Sequence, residues 1–166
     1  MIIKILCIFV FVALAALIIT MWEDIKKANK KKLSFKEALD LTDLPVVTFI
    51  TNGKKLNFVL DSGATHSVIN ETLVDELGLT IENFEDFGID INTASGNILL
   101  NKYVKVSLQY DNKRIFDETL LVINMTEQFN SIKESTGVKV HGLLGSDFFS
   151  KNKFIIDYDI LAAYVK

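Results

Sequence analysis

Phe58-Val59-Leu60-Asp61-Ser62-Gly63-Ala64-Thr65-His66-Ser67-Val68-Ile69-Asn70 is the stretch on which the reading of this chain turns. An apolar strand delivers an aspartate into a run of small residues, and a second apolar run follows. A carboxylate at the end of a buried strand is costly unless hydrogen-bond donors or a function hold it there. Ser62, Gly63, Ala64 and Thr65 are all small, so the backbone can fold close to Asp61 and aim N–H and hydroxyl groups at its carboxylate. On its own, Asp-Ser-Gly would be an Asx-type turn closing a hairpin.

The residues on either side read as a β domain. Val46–Thr51 and Lys55–Leu60 flank Asn52-Gly53, a two-residue pair suited to the positive φ angles of a tight hairpin turn. Pro45, the single proline, precedes the first strand, where its missing N–H costs no ladder bond. A second hairpin is expected from Lys102–Tyr110 through Asp111-Asn112-Lys113 into Phe116–Val122. A third is expected from Phe154-Ile155-Ile156 through Asp157-Tyr158-Asp159 into Ile160–Val165. Helical spacing is short: Ser34–Leu41, Glu71–Leu77 stopped by Gly78, and Thr126–Ser135 stopped by Gly137. Many short strands with turns between them predict a mainly β fold, a compact barrel or sandwich.

The 166 residues suit one domain, and 49% apolar content excludes a disordered or low-complexity chain. One cysteine, Cys7, excludes a disulfide framework. A net charge of −3 with a single arginine, Arg114, argues against a nucleic-acid partner. The apolar residues are unevenly spread. Ile5–Trp22 is an uncharged run that a helix would extend to about 27 Å, enough to span a hydrocarbon core of roughly 30 Å. Trp22 suits the interfacial belt. A cleaved signal peptide is the competing reading, since Ala13-Leu14-Ala15 offers small residues. The run continues past them through Leu17, Ile18, Ile19 and Met21, which favours an uncleaved single-pass anchor. Lys26, Lys27, Lys30, Lys31 and Lys32 follow it against Lys4 before it, a balance that favours the cytoplasmic side for the remainder and leaves the opposite side open. Beyond residue 32 the chain carries 12 basic and 19 acidic residues, a net charge of −7.

Asp61-Ser62-Gly63-Ala64-Thr65 resembles the catalytic turn of the aspartic proteases, and its flanks and length resemble the single-domain, retroviral-type (retropepsin-like) branch, including bacterial members. In that family an apolar-apolar-glycine segment packs against the catalytic turn and leads into a short helix. Leu143-Leu144-Gly145, followed by Ser146-Asp147-Phe148-Phe149, matches it in type and order. Thr93-Ala94-Ser95-Gly96, between two extended stretches, is similar to the region that forms the flap over the substrate. The resemblance covers roughly residues 44–165. It implies a small closed β-barrel with one or two short helices, and the apolar run Ile5–Trp22 adds a single transmembrane helix before it. The chain then divides into an anchor at 1–22, a basic linker with a short helix at 23–43, and a retropepsin-like domain at 44–166.

Such a site needs two carboxylates that share one proton, the charged one acting on water and the protonated one on the scissile carbonyl. The chain has a single D-[ST]-G turn. Asp147 sits in Gly145-Ser146-Asp147-Phe148, and neither Asp157 nor Asp159 precedes a glycine. The resemblance therefore implies a homodimer in which each copy supplies one Asp61, with a peptide or protein substrate and no cofactor or metal. Confinement to a bilayer would raise the effective concentration for dimerisation, or would hold copies apart until they cluster.

Other residues carry less. His66 and His141, the only histidines, have no H-E-x-x-H context; His66 is expected to cap the turn or lie on a strand surface, and His141 to sit in the loop before Leu143. Ser62 lacks the G-x-S-x-G setting of a nucleophile and is expected to hold the turn through its hydroxyl. Asp157-Tyr158-Asp159 is accounted for by a hairpin turn. Two functions remain: a membrane-tethered aspartic endopeptidase, or a catalytically silent domain of the same type that dimerises or binds peptides by strand addition.

Overall fold

The computed structural model describes the backbone of residues 33–84, 89–93, 96–111 and 114–165, and the side chains of these except at 89–93 and 96–99. The apolar run Ile5–Trp22 and the lysines up to Lys32 lie outside the described residues. Among the described residues no helix is long and apolar enough to cross a membrane.

The chain enters through helix α1 (Phe35–Thr42), capped by Ser34 in a full capping box with Glu37. Ser34 Oγ accepts from the Glu37 N–H at 3.2 Å, while the Glu37 carboxylate accepts from the Ser34 N–H at 3.1 Å, so two orphan donors of the first turn are satisfied. Strands β1 (Val46–Thr51) and β2 (Lys54–Leu60) form the first hairpin, with Thr51 opposite Lys54. Asn52 at φ 49° and Gly53 at φ 74° make the two-residue turn, both in the left-handed region that this connection requires.

Four further strands complete the barrel: β3 (Val68–Asn70), β7 (Lys102–Tyr110), β8 (Arg114–Ile123) and β9 (Gly142–Leu144). They run in the order β1-β2-β9-β3-β8-β7, and Ile50 of β1 pairs with Gln109 of β7 to close the ring. Closure removes the free edges that an open sheet would present. The short β4 (Glu82–Asn83) lies against β7. Strands β5 (Ile89–Thr93) and β6 (Gly96–Leu100) form one separate hairpin, and β10 (Phe154–Asp157) with β11 (Ala162–Val165) forms another. Helices α2 (Thr72–Leu77), α3 (Thr126–Thr136) and α4 (Ser146–Asn152) lie in the connections between strands, and Gly78 and Gly137 stop α2 and α3.

The mainly β, closed-barrel expectation holds, with more short helix than the one or two expected in the domain. The third hairpin differs from its expected form. Its second strand starts at Ala162, and residues 158–161 make the turn. The Asp157 carboxylate accepts from the Asp159 and Ile160 N–H groups at 3.0 and 3.2 Å, and Leu161 sits at φ 50°, so Ile160 is drawn into the turn with 65% of its surface exposed.

Aromatic rings fill the barrel. Phe49, completely buried, lies within 6.2 Å centroid to centroid of Phe58, Phe116, Phe148 and Phe154, mostly edge to face. Edge-to-face pairs add about 0.5–1.5 kcal/mol each beyond the area they bury. Because Phe58 belongs to β2 and Phe148 to α4, this cluster also sets where the Asp61 turn and the segment after β9 meet.

Candidate active site

Strand β9 lies between β2 and β3, parallel to the first and antiparallel to the second. Residues 61–67, which join β2 to β3, must therefore cross the end of β9. Leu60 pairs with Leu144, and the Asp61 N–H donates to the Leu144 carbonyl at 2.9 Å. Immediately beyond, the Ser146 N–H donates to the Ala64 carbonyl at 2.8 Å. Gly145 passes beneath the turn: a Cβ added there would lie 2.8 Å from the His66 carbonyl carbon and 2.9 Å from the Ala64 and His66 oxygens. Real Cβ atoms do not approach backbone so closely. The Leu143-Leu144-Gly145 segment thus meets the Asp61 turn, and glycine is the residue that permits the contact.

Within the turn, the Gly63 N–H donates to Asp61 Oδ1 at 2.9 Å, and the Ala64 N–H donates to the Asp61 carbonyl at 3.2 Å. Asp61 Oδ2 has no hydrogen bond among the described residues. Asp61 is half-buried and lines an open groove of about 710 Å³ together with Ser62, Pro45, Phe149, Ile156 and Tyr158. A carboxylate seated by one oxygen, with the other unclaimed, on a residue lining a partly apolar groove can exchange a proton with a bound water.

The other site residues sort as follows. Ser62, Gly63 and Thr65 are exposed and Ala64 half-buried, all in the turn. The expectation that the Ser62 hydroxyl holds the turn is not met: it makes no hydrogen bond among the described residues. Ser67 does that work. Its buried Oγ donates to Asp147 Oδ1 at 2.6 Å and accepts from the Gly145 N–H at 2.9 Å, while its N–H donates to Asp147 Oδ2 at 2.9 Å. Asp147 carries no motif of its own, and only its place two residues after Gly145 could have signalled the contact. Thr93 and Gly96 form the last rung of the β5–β6 hairpin; Ala94 and Ser95 lie outside the described residues.

His66 lies in the turn rather than on a strand, and its ring makes no hydrogen bond among the described residues, so it does not cap the turn. His141 precedes β9 as expected, but it is buried and works as part of the ladder: its Nδ1 accepts from the Asn57 N–H at 2.9 Å, and its own N–H donates to the Asn57 carbonyl at 2.8 Å. Burial, with Lys139 adding to it, lowers its pKa from the ordinary 6.5 to about 4. The native state therefore holds the ring neutral while the unfolded chain takes up a proton. The cost is absent above pH 6.5, grows as the pH falls from 6.5 to 4, and is complete below that, reaching about 3 kcal/mol. Denaturant unfolding of the wild type and His141→Gln across this range is expected to show a loss with acidification that the variant lacks. Equal pH slopes would remove His141 from the acid sensitivity.

A model of the aspartyl protease family matches residues 47–148, more than half of the chain and inclusive of both Asp61 and Gly145. No curated protein matches. Similar solved structures include the EIAV protease complexed with the inhibitor HBY-793, at 20% identity over 74% of this chain and 93% of that one, with a TM-score of 0.48. The retroviral protease-like domain of Ddi1 from Leishmania major is similar at 13% identity over 74% and 86%, also with a TM-score of 0.48. With its Asp61 turn seated on Leu144 and Gly145 inside the matched residues, this chain belongs to the aspartyl protease family.

Proposed function

We propose that the protein is a membrane-anchored aspartic endopeptidase whose active site forms between two copies of the chain, each contributing Asp61. The observation that carries this reading is the Asp61 carboxylate itself, held through Oδ1 by the turn, with no hydrogen bond to Oδ2 among the described residues, on a residue that lines the groove. One carboxylate cannot, in the same step, take a proton from water and give one to the scissile carbonyl oxygen. A second Asp61 about 3 Å away would share a single proton with the first, because two like charges so close cannot both ionise.

In the dimer the ionised Asp61 removes a proton from the bound water, whose oxygen bonds to the scissile carbonyl carbon. The protonated Asp61 gives its proton to the carbonyl oxygen as that oxygen takes up the electron pair of the C=O bond. Collapse of the tetrahedral intermediate breaks the C–N bond. The amine leaves with the proton first taken from water, the gem-diol proton returns to the carboxylate pair, and the site is restored. The β5–β6 hairpin, whose last described pair is Thr93 and Gly96, is the flap that closes over the substrate. Tyr158, 56% exposed at the rim of the groove, leaves apolar surface there for substrate or for the second copy.

The test is incubation of the full chain, in mild detergent, with a diverse peptide library across pH. Internal cleavage at bonds flanked by apolar side chains is expected. Peptide binding or dimerisation with no cleavage at any pH would leave the silent-module reading instead. Residues 5–22 are the single-pass anchor, with the lysines after it favouring a cytoplasmic domain. The chain should stay with the membrane pellet on carbonate extraction, and release would contradict the anchor.

A further inference from the structure

We infer that Asp147 is a positioning residue for Asp61, acting through Ser67; the inference rests on the peptidase reading above. Ser67 closes the turn that Asp61 opens and is separated from Asp147 by 80 positions in sequence. Both oxygens of Asp147 are engaged: Oδ2 accepts from the Ser67 N–H at 2.9 Å, and Oδ1 accepts from Ser67 Oγ at 2.6 Å and from the Phe148 N–H at 2.7 Å. Three donors converge on one side chain, which only the acceptor-only carboxylate satisfies in full. Charge-assisted bonds of this kind are shorter and stronger than neutral ones. The Ser67 hydroxyl in turn accepts from the Gly145 N–H, so a single side chain pins the far end of the turn to the segment that runs beneath it. Asp61 is tied to that segment at the near end by its own N–H on Leu144. Without Asp147 the far end of the turn keeps the Ser146 N–H bond to Ala64 and the Gly145 N–H bond to Ser67 Oγ but loses the two bonds that orient Ser67, and that loosening lets the Asp61 carboxylate shift from the position its twin requires.

The series Asp147→Ala, Asp147→Asn and Ser67→Ala, measured on the full chain, tests this. Asparagine keeps one acceptor oxygen but turns an NH2 toward a donor, and Ser67→Ala removes the hydroxyl alone, so both are intermediate. Expected is a fall in kcat per folded molecule on the order of 10- to 100-fold for Asp147→Ala, with a smaller fall for the other two and KM within about twofold, as a carboxylate displaced by a fraction of an ångström would give. Backbone hydrogen exchange should quicken at Gly63 and Ala64 and stay unchanged in β1 and β7. A merely structural role would lower the melting temperature and the folded fraction while kcat per folded molecule and local exchange stayed as in the wild type, and that result would overturn the inference. If Asp147→Ala does not fold, the two milder variants decide in the same way. If the wild type cleaves nothing, the peptidase reading fails by itself, and the exchange at Gly63 and Ala64 still decides whether Asp147 holds the turn.

Discussion

Asp61→Asn is expected to abolish peptide cleavage and leave the fold intact. The two effects separate because the two oxygens of Asp61 have different tasks. Oδ1 accepts from the Gly63 N–H, and an asparagine oxygen can accept the same bond in the same place. The change removes no buried volume and leaves the Asp61 N–H on the Leu144 carbonyl. Stability should stay within about 0.5 kcal/mol of the wild type, as for substitutions that touch none of the usual destabilising mechanisms. Chemistry does not survive it. A neutral amide neither takes a proton from water nor shares one with a partner carboxylate, and proton transfer by a positioned group is worth roughly 10² to 10⁴ in rate. Initial rates on a cleaved peptide, normalised to folded protein by circular dichroism, should fall by at least roughly 10³-fold. Retention of activity would remove Asp61 from the mechanism.

Gly145→Ala should do the reverse, damaging the scaffold and the chemistry together. The added methyl would sit 2.8–2.9 Å from backbone atoms of His66 and Ala64, and backbone, unlike a flexible side-chain end, cannot rotate aside. The turn must lift off the segment. That movement strains the Ser146 N–H bond to Ala64 and the Gly145 N–H bond to Ser67 Oγ, both anchors of the Asp61 turn. Overpacking of this kind costs about 1–3 kcal/mol, and a misplacement approaching 1 Å at a reacting group costs on the order of 10²-fold in rate. A lowered melting temperature with a kcat reduced on that scale is expected. Wild-type stability and rate in Gly145→Ala would show that the turn does not need the close approach.

What could be read from the residues was local. Asn52-Gly53 announced its hairpin because the turn demands two positive φ angles, and Gly78 and Gly137 marked helix ends because glycine takes the left-handed cap readily. The Asp61 stretch was legible because a charge at the end of an apolar strand is too costly to be incidental. The third hairpin was misread at Ile160, since apolar alternation says nothing of the Asp157 carboxylate that draws the Asp159 and Ile160 N–H groups into the turn. Pairings distant in sequence left no local trace. The insertion of the three-residue β9 between β2 and β3, the closure at Ile50 and Gln109, and the Ser67–Asp147 bonds all depend on where the chain returns in space. His141 shows the same limit: a histidine supplying a strand's acceptor looks, in sequence, like any loop histidine.

The shared site is tested most directly by mixing wild-type and Asp61→Asn chains in varying proportion at fixed total concentration, with time for subunits to exchange. If catalysis requires an Asp61 from each of two copies, only wild-type pairs are active, and activity should fall as the square of the wild-type fraction. Activity falling in simple proportion to that fraction would mean that one chain suffices, and would contradict the two-copy site.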